Sequence, residues 1–301
     1  ASADPQPELT LSIANEEGLT RAFFSNDGTR LALVFFATVE IWNLADSSQP
    51  QLTLTGHNNA VHYAACAPDD ARLATASADS TAKVWDVASG ELLFTLSGHE
   101  ATVFRLAFSP DGRFLTTASH DGTARIWNVS RDAGGEAQTF VHSGDIPSGS
   151  IELSPDEQKY AFGTINGTTI VGDAATGEQL LTLQNEFNGP VHGISFHPNG
   201  SRLATASEDG LVRIWDTVTG ELLFRFTAHV GGNSGGNEGA LDVAYSPDGA
   251  RLATAGADRL AKVWDAVTGE ELLVLEGHTT GLFRVVYNGD GRYLATASDA
   301  N

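Results

Sequence analysis

Three residue types able to move a proton recur together in this chain. His57 is followed 20 and 22 residues later by Ser77 and Asp79, and His99 by Ser119 and Asp121 at the same separations. A carboxylate, an imidazole and a hydroxyl can form a nucleophilic relay, the ring taking the hydroxyl proton while the carboxylate orients it. Two features oppose that use. The set is repeated, whereas catalysis needs one activated centre, and Trp85 and Trp127 follow each copy in fixed phase. Partial sets return as Ser207, Asp209 and Trp215, and as His229, Asp258 and Trp264. The repetition points to structure, so no catalytic residue is assigned.

Other chemistry is scarce. The sequence contains no His-Glu-x-x-His, no phosphate-cradling loop ending in Lys-Ser/Thr and no Gly-x-Ser-x-Gly elbow. No loop has calcium-ligand spacing, and neither a metal nor a cofactor is expected. Asn128, Asn166 and Asn199 open glycosylation sequons, which carry meaning only in a secreted eukaryotic protein. Cys66 is the single cysteine, so disulfides within the chain and multi-cysteine zinc sites are excluded. It sits on an apolar strand, Tyr63-Ala64-Ala65-Cys66, and reads as a packed small hydrophobe. Such low cysteine use fits the cytosol without excluding an extracellular location.

The elements that position these residues repeat. Trp occurs at 42, 85, 127, 215 and 264, with Gly172 where the long gap lacks one. An independent marker runs through Arg30-Leu31-Ala32, Arg72-Leu73-Ala74, Arg113-Phe114-Leu115, Lys159-Tyr160-Ala161, Arg202-Leu203-Ala204, Arg251-Leu252-Ala253 and Arg292-Tyr293-Leu294. Seven units of about 43 residues account for the 301-residue chain. Each unit reads as four short strands. Val103 to Phe108 alternates in the strand manner, Ser109-Pro110-Asp111-Gly112 turns the chain, and Arg113 to Ser119 and Thr123 to Trp127 follow. A turn such as Asp216 to Gly220 then leads to a fourth strand. Helical periodicity is absent, so the class is all-β. One four-stranded unit cannot bury both of its faces, whereas a ring of them can.

Gly56-His57, Gly98-His99 and Gly277-His278, with Val84-Trp85-Asp86 and Ile214-Trp215-Asp216, resemble the WD40 repeat family, and the regular Asp-x-x-Thr/Ser-Gly-Glu turns resemble its bacterial arrays. The resemblance implies one seven-bladed β-propeller over residues 1–301, with residues 1–7 and the Gly-rich insertion 231–239 flexible. It also implies that His57, Ser77, Asp79 and Trp85, and their counterparts, form buried hydrogen-bond chains. Whether Thr75 or Ser77 relays the bond stays open, because both point to one strand face.

Several units depart from the pattern. The first has Phe36 where others carry Asp, the fourth has Gly172 and Asn166 for Trp and Asp, and the fifth lacks Gly-His. The seventh stops before its Trp strand, and Glu8 to Ile13 reads as an outer strand that would complete it. Closure as a three-stranded last blade is expected. An open edge would instead invite strand exchange into a dimer. The Met-free chain beginning at Ala1 reads as a processed product or part of something longer.

Partners would meet the rim around the central channel. Alignment on the Ser-Pro-Asp-Gly turn places His62, Phe104, His192 and Phe283 there, with His120 and Glu208 beside them. His62 and His192 lie three blades apart, which disfavours joint metal ligation. The net charge of −21 disfavours nucleic acid and anionic membranes, and favours a basic protein or peptide. The expectation is a non-catalytic scaffold or sensor within a larger signalling protein. An oligomerising element and a small-molecule or enzymatic propeller are the alternatives.

Overall fold

In a computed structural model, the described residues are 21–46, 48–109, 111–130, 137–141, 147–230 and 239–298. They form antiparallel sheets in chain order: six of four strands and a seventh of two. Blade 2 shows the unit, running from innermost to outermost strand as Val61–Cys66, Arg72–Ser77, Thr81–Asp86 and Leu92–Ser97. The other innermost strands are Arg21–Phe24, Val103–Phe108, Pro147–Leu153, Val191–Phe196, Ala240–Tyr245 and Leu282–Tyr287, for blades 1 and 3 to 7. The architecture is a seven-bladed β-propeller. Blades 7 and 1 meet where the Gly289 N–H donates to the Asn26 carbonyl at 3.2 Å.

The small second-strand residues explain how the sheets pack. Leu73, Ala74, Thr75 and Ala76 are fully buried, and Trp85 lies opposite Leu73 in register. With no bulk on the second strand, a neighbouring sheet can approach, and cores form between blades. Ala204, Val212 and Ile214 of blade 5 pack with Val243, Leu252 and Trp264 of blade 6. Burying each large side chain contributes about 1.5–3 kcal/mol. Outer strands are wetter, as with Leu222 and Leu223.

Turn chemistry repeats as well. Asp86 Oδ1 accepts from the Ala88 and Ser89 amides, and Gly90, at φ 74°, closes the turn with its N–H on the Asp86 carbonyl. That positive φ is why Gly stands there.

Blade 7 pairs Leu282–Tyr287 with Leu294–Ser298. The segment expected to complete it, Glu8 to Ile13, lies outside the described residues, as do residues 1–7 and 231–238 of the expected flexible segments. No helix among the described residues is long and apolar enough to cross a membrane.

Candidate functional site

The repeated polar sets are interior. In blade 2 the Trp85 indole N–H donates to Thr75 Oγ1 at 2.9 Å, and Thr75 Oγ1 lies 2.7 Å from His57 Nε2. His57 Nδ1 lies 2.8 Å from Asp79 Oδ2. Burial pushes the His57 pKa down against the pull of Asp79, so the ring is neutral. The Thr75 hydroxyl then donates to Nε2 and the Nδ1–H donates to the carboxylate. Asp79 is held low, at about 2, although burial opposes this; hydrogen bonds from Thr81, the Asn58 amide and His57 outweigh it. Blade 3 repeats the chain through Trp127, Thr117, His99 and Asp121. Blade 6 does so through Trp264, Thr254, His229 and Asp258.

The relay is Thr75, and the placing of Ser77 and Ser119 within these chains is corrected. Ser77 Oγ accepts the Asp79 amide and donates to the Asn59 carbonyl, while Ser119 does the same with Asp121 and Ala101. Both serines hold the turn that presents the carboxylate. The indole and the imidazole converge one alternate position back along the strand, where Thr stands.

Units that depart from the pattern fill the same space differently. In blade 5, Trp215 still donates to Thr205, but buried Arg213 takes the histidine's part, donating to Ser207 Oγ and Asp209 Oδ2 at 2.8 and 2.6 Å. In blade 4 the Tyr160 ring fills the missing indole's place. A Cβ on Gly172 would lie 2.3 Å from Tyr160 Oη, which donates to the Gly177 carbonyl. In blade 1, Leu33 stands where Thr would relay, and Trp42 donates to Glu40 instead. Cys66 is half-buried, and burial pushes its thiol up to about 12, which suppresses the thiolate.

The rim has a distinct construction. In five blades the register breaks at the start of the innermost strand. Val61 pairs Ser77 and Tyr63 pairs Ala76, leaving His62 outside the ladder. The same break skips Phe104, His192, Leu241 and Phe283. A bulge of this kind re-aims a side chain. Four of the expected rim positions, together with Leu241, are thus bulge residues at the starts of the innermost strands. Phe104 stacks on His120, their centroids 4.6 Å apart and planes at 28°. Glu208, half-buried, lies over Gly189, where an added Cβ would come within 2.9 Å of its Oε2. His192 reaches inward, its pKa lowered by burial and by the charge of Arg105. Phe36, unassigned from sequence, is 54% exposed on the same face. Among the described residues no three His, Cys, Asp or Glu side chains gather as metal ligands.

The channel wall holds polar residues that no repeat marked. Glu152 Oε2 accepts the Phe196 amide, Ser195 Oγ the Tyr245 amide and Asp242 Oδ2 the Val285 amide, at 2.8, 3.2 and 3.0 Å. Each acceptor satisfies an innermost-strand N–H of the next blade, so the wall stitches blades 4 to 7. The available signal was a polar residue at an inward position of an otherwise apolar strand.

The family model described as "WD domain, G-beta repeat" matches residues 48–86, 90–128, 177–216, 220–265 and 269–301, more than half of the chain. Most of blades 1 and 4, where the Thr or Trp of the chain is replaced, falls outside those ranges. The chain is 31% identical over 171 residues to the guanine nucleotide-binding protein subunit beta of Oryza sativa subsp. japonica, covering 56% of this chain and 35% of that one. It is 39% identical over 92 residues to the Denticleless protein homolog of Gallus gallus, covering 31% and 11%. With the serine-threonine kinase receptor-associated protein of Homo sapiens it shares 35% identity over 72 residues, covering 24% and 20%. The chain spans about a third or less of the length of these relatives. They are plant and animal proteins, and a bacterial-type array finds no support among them.

Proposed function

The chain belongs to the WD40 repeat family, and on that premise we propose a non-catalytic platform that holds a protein or peptide segment on its bulged rim. The carrying observation is the shared register break at His62, Phe104, His192, Leu241 and Phe283. Regular pairing would keep these residues in the ladder. The bulges turn a mixed aromatic and imidazole set toward one opening. Such side chains anchor partners well, because they bury much area at small entropic cost. Burial of the repeated His and Asp residues supports a structural role for them and removes them from solvent-borne substrates.

The partner in this reading is basic. A net charge of −21 steers Lys- and Arg-bearing segments toward the protein, and Glu208 adds a carboxylate near the contact. A place within a larger signalling protein belongs to the same reading, supported by likeness to a guanine nucleotide-binding protein subunit beta.

Selection from a random peptide display library, followed by affinity measurement, tests it. Lys/Arg-bearing peptides should be enriched, and Phe104→Ala and His120→Ala should each weaken them at least about tenfold, as for a hot spot near 1.4 kcal/mol. Enrichment of acidic peptides, or affinities unchanged in both variants, would refute the rim.

A further inference from the structure

Away from the rim, the channel widens into a cavity of about 410 Å³ that opens at the turns following the innermost strands. That volume is in the range of small-molecule pockets. Pro155, Pro198 and Pro247 form an apolar lip, and charge lies deeper. The Arg105 guanidinium sits over the Tyr63 ring at 4.7 Å, and its Nη1 is buried with no hydrogen-bond partner. Arg284 lies over the same ring at 5.2 Å and meets Asp242 at 3.4 Å. Ser195, whose oxygen accepts a backbone N–H, keeps its own O–H to donate.

A buried guanidinium N–H without an acceptor is costly, and although Arg105 meets Tyr63, nothing in the blade stitching satisfies its Nη1.

We propose that the channel binds a small monocarboxylate with an apolar body, its carboxylate on Arg105 and Ser195 and its body against the proline lip.

Charge selects this class. Asp242 pairs with Arg284, and of the two arginines among the described residues that line the cavity Arg105 has no ion pair of its own. Burial pushes Glu152 up to about 8, against the pull of Arg284 and with Asp242 adding to the rise, so at neutral pH it is mostly protonated and adds little negative charge. Burial lowers the Arg105 pKa, yet a guanidinium stays charged. The pocket is therefore a cationic spot in a chain of −21. A monoanion balances it, whereas a phosphate dianion would set its second charge against Asp242. A planar carboxylate also matches the guanidinium fork.

The sign of the pH effect follows. As pH rises through about 8, Glu152 ionises beside the ligand and opposes it. Arg284 of blade 7, Asp242 of blade 6 and Arg105 of blade 3 face that region; a guanidinium keeps its charge across this range, and His192 beside Arg105 is already neutral.

Isothermal titration of the whole chain with benzoate at pH 7 is the test, with benzyl alcohol and inorganic phosphate as comparison probes. Saturable benzoate binding, at least tenfold stronger than either comparison and lost in Arg105→Met, is expected. No saturable benzoate binding, equal or stronger phosphate binding, or an unchanged affinity in Arg105→Met would overturn it. If circular dichroism shows that Arg105→Met is unfolded, Glu152→Gln decides. Wild-type affinity should fall several-fold between pH 7 and 9 and the variant's should stay level; a level wild-type profile overturns the proposal.

Discussion

Phe104 and His120 stack with centroids 4.6 Å apart, although one is on the innermost strand and the other in the turn after Ser119, and only Phe104 also packs against the core between blades 3 and 4. The pair therefore separates stability from binding. Phe104→Ala should cost about 1–3 kcal/mol by loss of partly buried area, and His120→Ala under about 0.5 kcal/mol. Denaturant titration would read both. A large loss of stability in His120→Ala would mean that the ring is packing, and its role as an exposed anchor would go.

Thr75 and Ser77 occupy one strand face, but only Thr75 touches both an indole and an imidazole. Thr75→Val leaves the Trp85 N–H and His57 Nε2 buried without their partner. A cost of about 2–6 kcal/mol is expected, from about 1–3 kcal/mol for each of the two orphaned groups. Ser77→Ala removes a turn contact and should cost about 1 kcal/mol. Thermal melts of the two variants compare them directly, and a reversed order would contradict the relay.

Stability should fall with acidity in two stages. His57 and His99 have folded-state pKa values lowered mainly by burial, so below about 6.5 the unfolded chain takes up protons that the folded chain refuses. Their contribution is complete above that value and is lost as pH falls through it. Asp79 and Asp121, held at about 2, contribute fully above about 3.8 and lose that contribution between about 3.8 and 2. Melting temperature measured from pH 8 to 2 should show both declines, and His99→Asn should flatten the upper one. A single decline confined below pH 4 would remove the neutral-histidine assignment.

Restoring the missing tryptophan alone should fail. Gly172→Trp drives its Cβ into Tyr160, and a loss above about 3 kcal/mol is expected. Adding Tyr160→Leu and Phe162→Thr, the residue types at those places in blade 2, should recover at least about 1 kcal/mol of it. A strictly additive triple variant, measured by urea unfolding, would show that Tyr160 does not stand in for the indole.

Much of the fold was legible because each blade is a local object. Arg72-Leu73-Ala74-Thr75 and its copies carry their strand alternation, and Ser-Pro-Asp-Gly its turn, within a few residues. Blade order needed only that count. The strand starts proposed as a rim were legible in position, but their construction was not. Alignment placed His62, Phe104 and Phe283 at the strand starts, yet their release from the ladder is a property of pairing with Ser77, Ser119 and Ser298 on the adjoining strands. Arg213 gave no signal, because its pairing with Asp209 is visible only once the blade is folded, where the Gly-His pair is absent and Asn185 donates to Ser207 instead.

From the residues alone came the all-β class, the seven units, the sets in which His, Asp and Trp recur, and the net charge of −21. These depend on composition and short spacing. Only the tertiary structure decided the rest: that Glu152, Ser195 and Asp242 join one blade to the next, that Tyr160 occupies the space an indole left, and that Nη1 of Arg105 is buried in the channel without an acceptor. The blade-to-blade contacts join groups about 40 or more residues apart, brought together when the sheets wrap around an axis, whereas Tyr160 meets Gly172 by cross-strand pairing within one blade; neither period nor propensity encodes either contact.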